Sequence, residues 1–110
     1  MLRLDHLAIS AESLTQGAAW VEEQLGVPLQ AGGRHSHFGT HNLLMGMADG
    51  LYLEVITIDP TAPPLPHPRW FDLDRFSGPP RVTNWIARTD DLAQACRSLP
   101  GLGQVVPLER

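Results

Sequence analysis

Lysine is absent from this chain: all eight basic residues are arginines, scattered along 110 positions. A nucleic-acid binder needs a basic patch or stripe, and a net charge of −4 without such clustering excludes that class. Only one cysteine is present, Cys96, so an intramolecular disulfide framework is excluded. A reducing, cytoplasmic setting is the expectation. No apolar run approaches the roughly 20 residues that span a bilayer. The opening MLRLDHLAIS carries neither a signal-peptide core nor a small-residue cleavage site, so no membrane role is expected. Charged residues are scarce at 18% against 43% hydrophobic, too apolar a balance for a disordered chain. What remains is a single domain with one real core.

The apolar pattern then sets out the elements. Segment 3–10 (RLDHLAIS) alternates, with Leu7 and Ile9 on one face and Leu4, His6 and Ala8 on the other, which predicts a strand buried on both sides. Ser13 opens a helix through a capping box with Gln16. Leu14, Ala18, Val21 and Leu25 form its apolar stripe, and Gly26 ends it as a left-handed cap. Three short strands follow at about 27–35, 40–47 and 51–58; Gly32-Gly33 bends the first, Phe38-Gly39 turns into the second, and Asp49-Gly50 is a hairpin signal before the third. Residues 1–58 are thus a complete β-α-β-β-β unit.

Residues 59–80 hold seven of the ten prolines and read as a linker or crossing arm, with Trp70, Phe71 and Phe76 giving it something to pack with. As lid, dimer contact or core filler, Trp70 and Phe71 have the same aromatic bulk to offer. A strand at 81–88, a helix from Asp90 or Asp91 with Leu92, Ala95, Cys96 and Leu99 as its stripe, and a last strand at about 103–108 complete the reading. Trp85 and Cys96 read as core. This second run repeats the first: HLAISAESL at 6–14 aligns without gaps on NWIARTDDL at 84–92, and VPL at 27–29 answers VPL at 106–108. Residues 81–110 are then a partial second unit, β-α-β.

Paired β-α-β-β-β units are the plan of the vicinal-oxygen-chelate superfamily, which includes glyoxalase I, extradiol dioxygenases and bleomycin-resistance proteins. The sequence resembles its glyoxalase-like domain branch. Leu4-Asp5-His6-Leu7, GGRHSHFGTHNLL at 32–44 and LYLEVI at 51–56 carry the resemblance. It implies an α+β fold, a curved mixed sheet with helices on its outer face, each unit curling into a cup. It also implies a divalent metal, Zn, Ni, Mn or Fe, held by His6 and Glu54 in the first unit, with Asn84 at the position in the second unit that matches His6. The strand for a fourth ligand is missing.

The residues themselves support this pair. Glu54 shares its strand face with Tyr52, Ile56 and Ile58, and a carboxylate placed there needs a cation or donors. An ion serving both side chains, or a direct His6–Glu54 hydrogen bond with no metal, meets that need. If an ion binds, it polarises neighbouring oxygens of a small molecule while Glu54 moves a proton as the catalytic residue. His35 is expected to line the cup. His35 and His37 point the same way on a strand, but a turn separates them from His41, and His37 and His41 are expected to be partly exposed. Thr40 and Asn42 hold the turn or line the pocket. Arg34 receives an anionic group of a ligand or is simply solvated.

The expected function is therefore a glyoxalase-like small-molecule protein: a metal-dependent lyase, isomerase or dioxygenase. The alternatives are a metal-free, drug-sequestering binding module and an incomplete domain without activity. A second unit lacking strands leaves open sheet edges, which predicts a homodimer, with or without exchanged modules.

Overall fold

The structure, a computed structural model, describes residues 2–108. Its elements run β1 (Arg3–Ser10), α1 (Leu14–Leu25), β2 (Gln30–His35), β3 (Thr40–Gly46), β4 (Tyr52–Ile58), β5 (Arg81–Arg88) and α2 (Leu92–Ser98), with 3-10 turns at Ala48–Gly50 and Trp70–Arg75. The five strands form one curved mixed sheet in the order β2-β3-β4-β1-β5. β1 lies parallel to β4 and antiparallel to β5, so the middle of the sheet joins residues far apart in the chain. The fold is α+β, as expected.

Local chemistry starts and stops α1 where the sequence indicates. Ser13 Oγ accepts the Gln16 N–H at 3.1 Å, and Gly26, at φ 68°, closes the helix through its N–H to Glu22 O at 2.8 Å. The helix then lies on one sheet face. Val21 meets Ile9, Met45, Leu53 and Val55 there, with Leu14, Trp20, Leu29 and Leu43 around them. Gly17 makes this close approach possible, because a Cβ on it would overlap Val55 Cγ1. Leu25, at the last turn, is exposed and lies past the edge of this contact.

The opposite face is covered by the proline-rich arm. Ala8, Ile56 and Leu73 are buried together, flanked by Ile58, Trp70, Phe71, Phe76 and Ile86. The arm is fastened by specific bonds. Asp59 Oδ1 accepts from the Thr61 N–H and hydroxyl at 2.9 and 2.7 Å, which turns the chain as it leaves β4. Those Thr61 bonds, with the Arg34 guanidinium, pull the Asp59 carboxyl down to about 2. Farther on, Trp70 Nε1 donates to Thr40 Oγ1 at 3.2 Å, Arg69 pairs with Asp74 at 2.7 Å, and Glu12 Oε1 accepts the Gly78 N–H at 2.6 Å. Residues 59–80 are packed structure with few regular hydrogen bonds, as their prolines require.

Three expectations need correction. The last strand at about 103–108 is irregular chain. Gly101 and Gly103 sit at φ 89° and 100°, outside the extended region, and Pro107 has no N–H to give a ladder, so the second unit is β-α here and not β-α-β. Trp85 is 71% exposed and is not core. It lies on β5, an edge strand, opposite Leu7 and on the face away from the arm. The stripe of α2 is likewise only partly covered: Ala95 is buried, Cys96 half-buried, and Leu92 and Leu99 exposed.

Candidate functional site

Strand alternation places His6, Glu54 and Asn42 on the arm side of the sheet, and the structure brings them together. His6 Nε2 lies 3.2 Å from Glu54 Oε1, and both residues are buried. Asn42 Nδ2 donates to Glu54 Oε2 at 2.6 Å and to His35 Nε2 at 3.0 Å. The amide orientation is fixed from behind, since Asn42 Oδ1 accepts the Gly33 N–H at 2.8 Å. Gly32 is needed for this arrangement: a Cβ on it would overlap Asn42 Oδ1 and stand 2.6 Å from the Asn42 carbonyl oxygen.

On the other side of His6, its Nδ1 meets Asp5 Oδ2 at 2.6 Å. Simple alternation would point neighbours to opposite faces. The β1–β5 register slips between Leu4 and His6, so Asp5 has no register partner on β5. Such a bulge re-aims a side chain, which lets Asp5 meet its neighbour's ring. Arg88 Nη1 reaches Asp5 Oδ1 at 3.5 Å. The result is one polar chain, Arg88–Asp5–His6–Glu54–Asn42–His35, that crosses all five strands in their spatial order.

Its charges follow from these contacts. Burial alone would push the His6 imidazole down, but the hydrogen bonds and charges of Glu54 and Asp5 outweigh it and hold it above the usual histidine value. Burial alone would push Glu54 up; the bonds from His6 and Asn42, with the nearby His6 and His35 rings, hold it below the usual carboxylate value. Asp5 is likewise lowered: burial opposes, and His6, Arg88 and a hydrogen bond from Tyr52 prevail. Both ring nitrogens of His6 thus face carboxylate oxygens, contacts that favour the charged imidazole, and the ring stacks on Tyr52 at 4.4 Å between centroids and 10° between planes.

Above this polar floor lies a hollow of about 470 Å³, lined by His6, Glu54, Asn42, Gly33, Arg34 and His35 and by Leu44, Tyr52, Trp70, Phe71 and Ile86. That volume is in the range of small-molecule sites, and the apolar walls with a few convergent polar groups are their usual make-up. Trp70 closes one side, stacked between Phe38 at 4.2 Å and Phe71 at 5.3 Å, and edge-on to His35 at 5.1 Å.

Not every residue singled out in the sequence reaches the hollow. Thr40 is buried at its side and holds Trp70. Asn84 pairs with Ala8 on β1 and opens into a neighbouring hollow with Phe71, Phe76 and Arg81; Ile86 takes the place beside His6. Arg34 lines the rim but is tied to Asp59 and, at 2.8 Å, to Thr61 Oγ1. The three clustered histidines separate: His35 joins Asn42, His37 stacks on His67 at 4.7 Å, and His41 pairs in register with Thr57 and Arg34. Asp5 and Tyr52 are site residues that the sequence reading left unassigned. Tyr52 carried a signal, two positions from Glu54 on the same strand face, whereas the bulge hides Asp5.

Two ligand-type atoms, His6 Nε2 and Glu54 Oε1, are close enough to share an ion. Zinc-type catalytic sites use three protein ligands. Among the described residues no group of three or more His, Cys, Asp or Glu is placed to hold a metal. His35 is the nearest addition, 3.9 Å from Glu54 Oε2, but the Asn42 amide bridges the two. The donor set of this chain supplies half a site and does not by itself fit a tightly held metal.

The fold and site together define a cup of the vicinal-oxygen-chelate type. The sequence profile of the glyoxalase-like domain matches residues 4–110, and the chain belongs to that family. Among solved structures it is similar to methylmalonyl-CoA epimerase from Mycobacterium tuberculosis, at 19% identity and a TM-score of 0.60, over 86% of this chain and 60% of that one. The chain thus spans about 60% of the length of that protein, and the likeness is one of fold. A comparison with curated proteins finds no match. Members of the superfamily bind small molecules and often use divalent metals. No helix among the described residues is long and apolar enough to cross a membrane.

Proposed function

We propose that this domain binds a small carbonyl compound in the hollow and moves a proton on it through Glu54. The observation that carries the reading is the placement of Glu54: 5% exposed and held on both oxygens at the floor of an apolar-walled hollow. A buried carboxylate kept charged by specific partners and facing a cleft is a candidate proton acceptor. His6 fixes its charge and position, Asn42 its second oxygen, and Asp5 orients His6. Of the reaction classes that the family suggests, isomerisation and elimination are those that a carboxylate and an imidazolium can drive through proton transfer.

His6 and Glu54 remain the residues that would contact a divalent cation. A metal there would supply Lewis acidity toward a carbonyl oxygen, and Asp5 behind His6 is the kind of outer partner that orients a ligating histidine. With only those two ligands from one chain, protein stripped of metal and reloaded with Zn, Ni, Mn or Fe is expected to retain well under one ion per chain after desalting, by elemental analysis.

The test is solvent deuterium exchange, followed by NMR, into a panel of 2-oxo acids, 2-hydroxy ketones and malonyl-type thioesters. Exchange at the carbon next to a carbonyl, abolished by Glu54→Gln with binding retained, supports the reading. Binding without exchange by the wild-type protein overturns the catalytic part and leaves a binding module. That second reading has its own support: among the described residues no buried side-chain nitrogen or oxygen lacks a partner, so the floor is complete as it stands.

A second copy of the chain is also proposed as a partner. β5 is one of the two edge strands and presents Val82 and Trp85, both more than half exposed, and an edge of this kind invites pairing. Light scattering on a sizing column is expected to give a dimer; a monomer at all concentrations overturns it.

A further inference from the structure

The 3-10 turn of the arm contains an expensive conformation. Phe71 and Asp72 stand at φ 58° and 54°, two consecutive left-handed residues, neither of them glycine. Glycine is the residue that takes this conformation without a steric penalty, so a phenylalanine there is retained for what its ring does or for nothing local. The turn is held in place: Trp70 is bonded to Thr40 and stacked on the Phe71 ring, and Asp72 pairs with Arg75 at 2.8 Å. The ring itself lies between two spaces. It lines the hollow of about 470 Å³ over His6 and Glu54, and it also lines the neighbouring hollow of about 530 Å³ that holds Asn84.

We infer that Phe71 is a partition that sets the length of the molecule this site accepts. Its ring ends the site at the side where β5 carries Asn84. Removing the ring is expected to join the two spaces that Phe71 borders. The shared sheet face makes the connection direct, since Asn84 opposes Ala8, two residues along β1 from His6. Phe71 touches no reacting group and acts as a specificity-determining residue.

This inference rests on the reading above that the hollow takes a small molecule, and the probes separate the two. 4-Alkylphenols, from ethyl to heptyl, offer a hydroxyl to the polar floor and a tail of graded length. Their affinities are measured by calorimetry. Each buried methylene, at about 0.8 kcal/mol, strengthens binding about fourfold. In the wild-type protein the gain is expected to stop at the chain length that meets Phe71. In Phe71→Gly the break is expected two or more methylenes later, with at least a tenfold gain for heptylphenol and less than threefold change for ethylphenol. Phe71→Trp moves the break to a shorter tail, which keeps the test open if the glycine variant does not fold. Asn84→Phe leaves the wild-type series unchanged but cancels the gain of Phe71→Gly. An unbroken rise in the wild type, or one break shared by all variants, overturns the partition while the small-molecule reading stands. Failure of every alkylphenol to bind any variant overturns the partition, while the exchange experiment above decides the small-molecule reading on its own.

Discussion

On the face that α1 covers, side chains meet as in any small α/β layer: Ile9, Val21 and Val55 are essentially unexposed, and a glycine lets the helix down onto the strands. On the face that the arm covers, the same strands carry an imidazole set between carboxylates, and irregular chain leaves a hollow over them. One face is closed by aliphatic contact and gains its stability there. The other is built around polar groups that stabilise little in net terms, because desolvating an ion pair offsets most of its attraction. The contrast puts the proposed function on the arm side and predicts different responses to substitution on the two sides.

The sharpest break is at His6. His6→Leu removes the cation from between Asp5 and Glu54 and leaves a buried carboxylate uncompensated, with an expected loss of about 3–5 kcal/mol by chemical denaturation. The double variant His6→Leu/Glu54→Leu is expected to recover most of that loss while binding stays abolished. A single variant costing under about 1 kcal/mol would show that the pair is not ionised. Next is Gly32→Ala, whose Cβ displaces Asn42; an overpacked site of this kind costs about 1–3 kcal/mol, and binding in the hollow should weaken with it. Gly33→Ala, where a Cβ meets nothing within 4 Å, is the control and should be near neutral for stability.

The pH dependence sharpens the same point. The folded His6 value is above its ordinary 6.5, so its contribution is complete below 6.5 and is lost as pH rises through the raised value. Glu54 and Asp5 are lowered from 4.5 and 3.8, so their contributions are complete above those values and are lost as pH falls through the lowered ones. Thermal stability is expected to be greatest between the two windows, and His6→Gln should remove the alkaline decline. The smallest effect belongs to the helix face: Ile9→Val should cost about 1 kcal/mol and leave alkylphenol binding unchanged. Weakened binding in that variant would mean the two faces are coupled.

Much of this was legible beforehand because it depends on local chemistry. The Ser13 cap, the Gly26 stop, the Asp49-Gly50 turn and the alternation in β1 and β4 each involve a few neighbouring residues, and the structure has them where the residues place them. Alternation also puts His6 and Glu54 on one face, and family resemblance supplied the reason to join them. What was not legible is non-local or irregular. A one-residue slip in β1 turns Asp5 toward His6. Thr40 serves the arm because a tryptophan 30 positions later needs a hydrogen-bond acceptor. Asn84 misses the His6 hollow because the slipped β1–β5 register sets it against Ala8 and puts Ile86 beside His6. Trp85 and the stripe of α2 look apolar enough for a core, yet apolarity does not say whether anything covers them.

The parallel pairing of β1 with β4 carries a kinetic consequence. His6 and Glu54 are 48 residues apart, so they meet only after that crossover has closed. Loop closure over such a separation is slow relative to forming α1 or the β3–β4 hairpin. Early folding species would therefore hold secondary structure but no binding floor, and recovery of ligand affinity after dilution from denaturant should mark the final step of refolding.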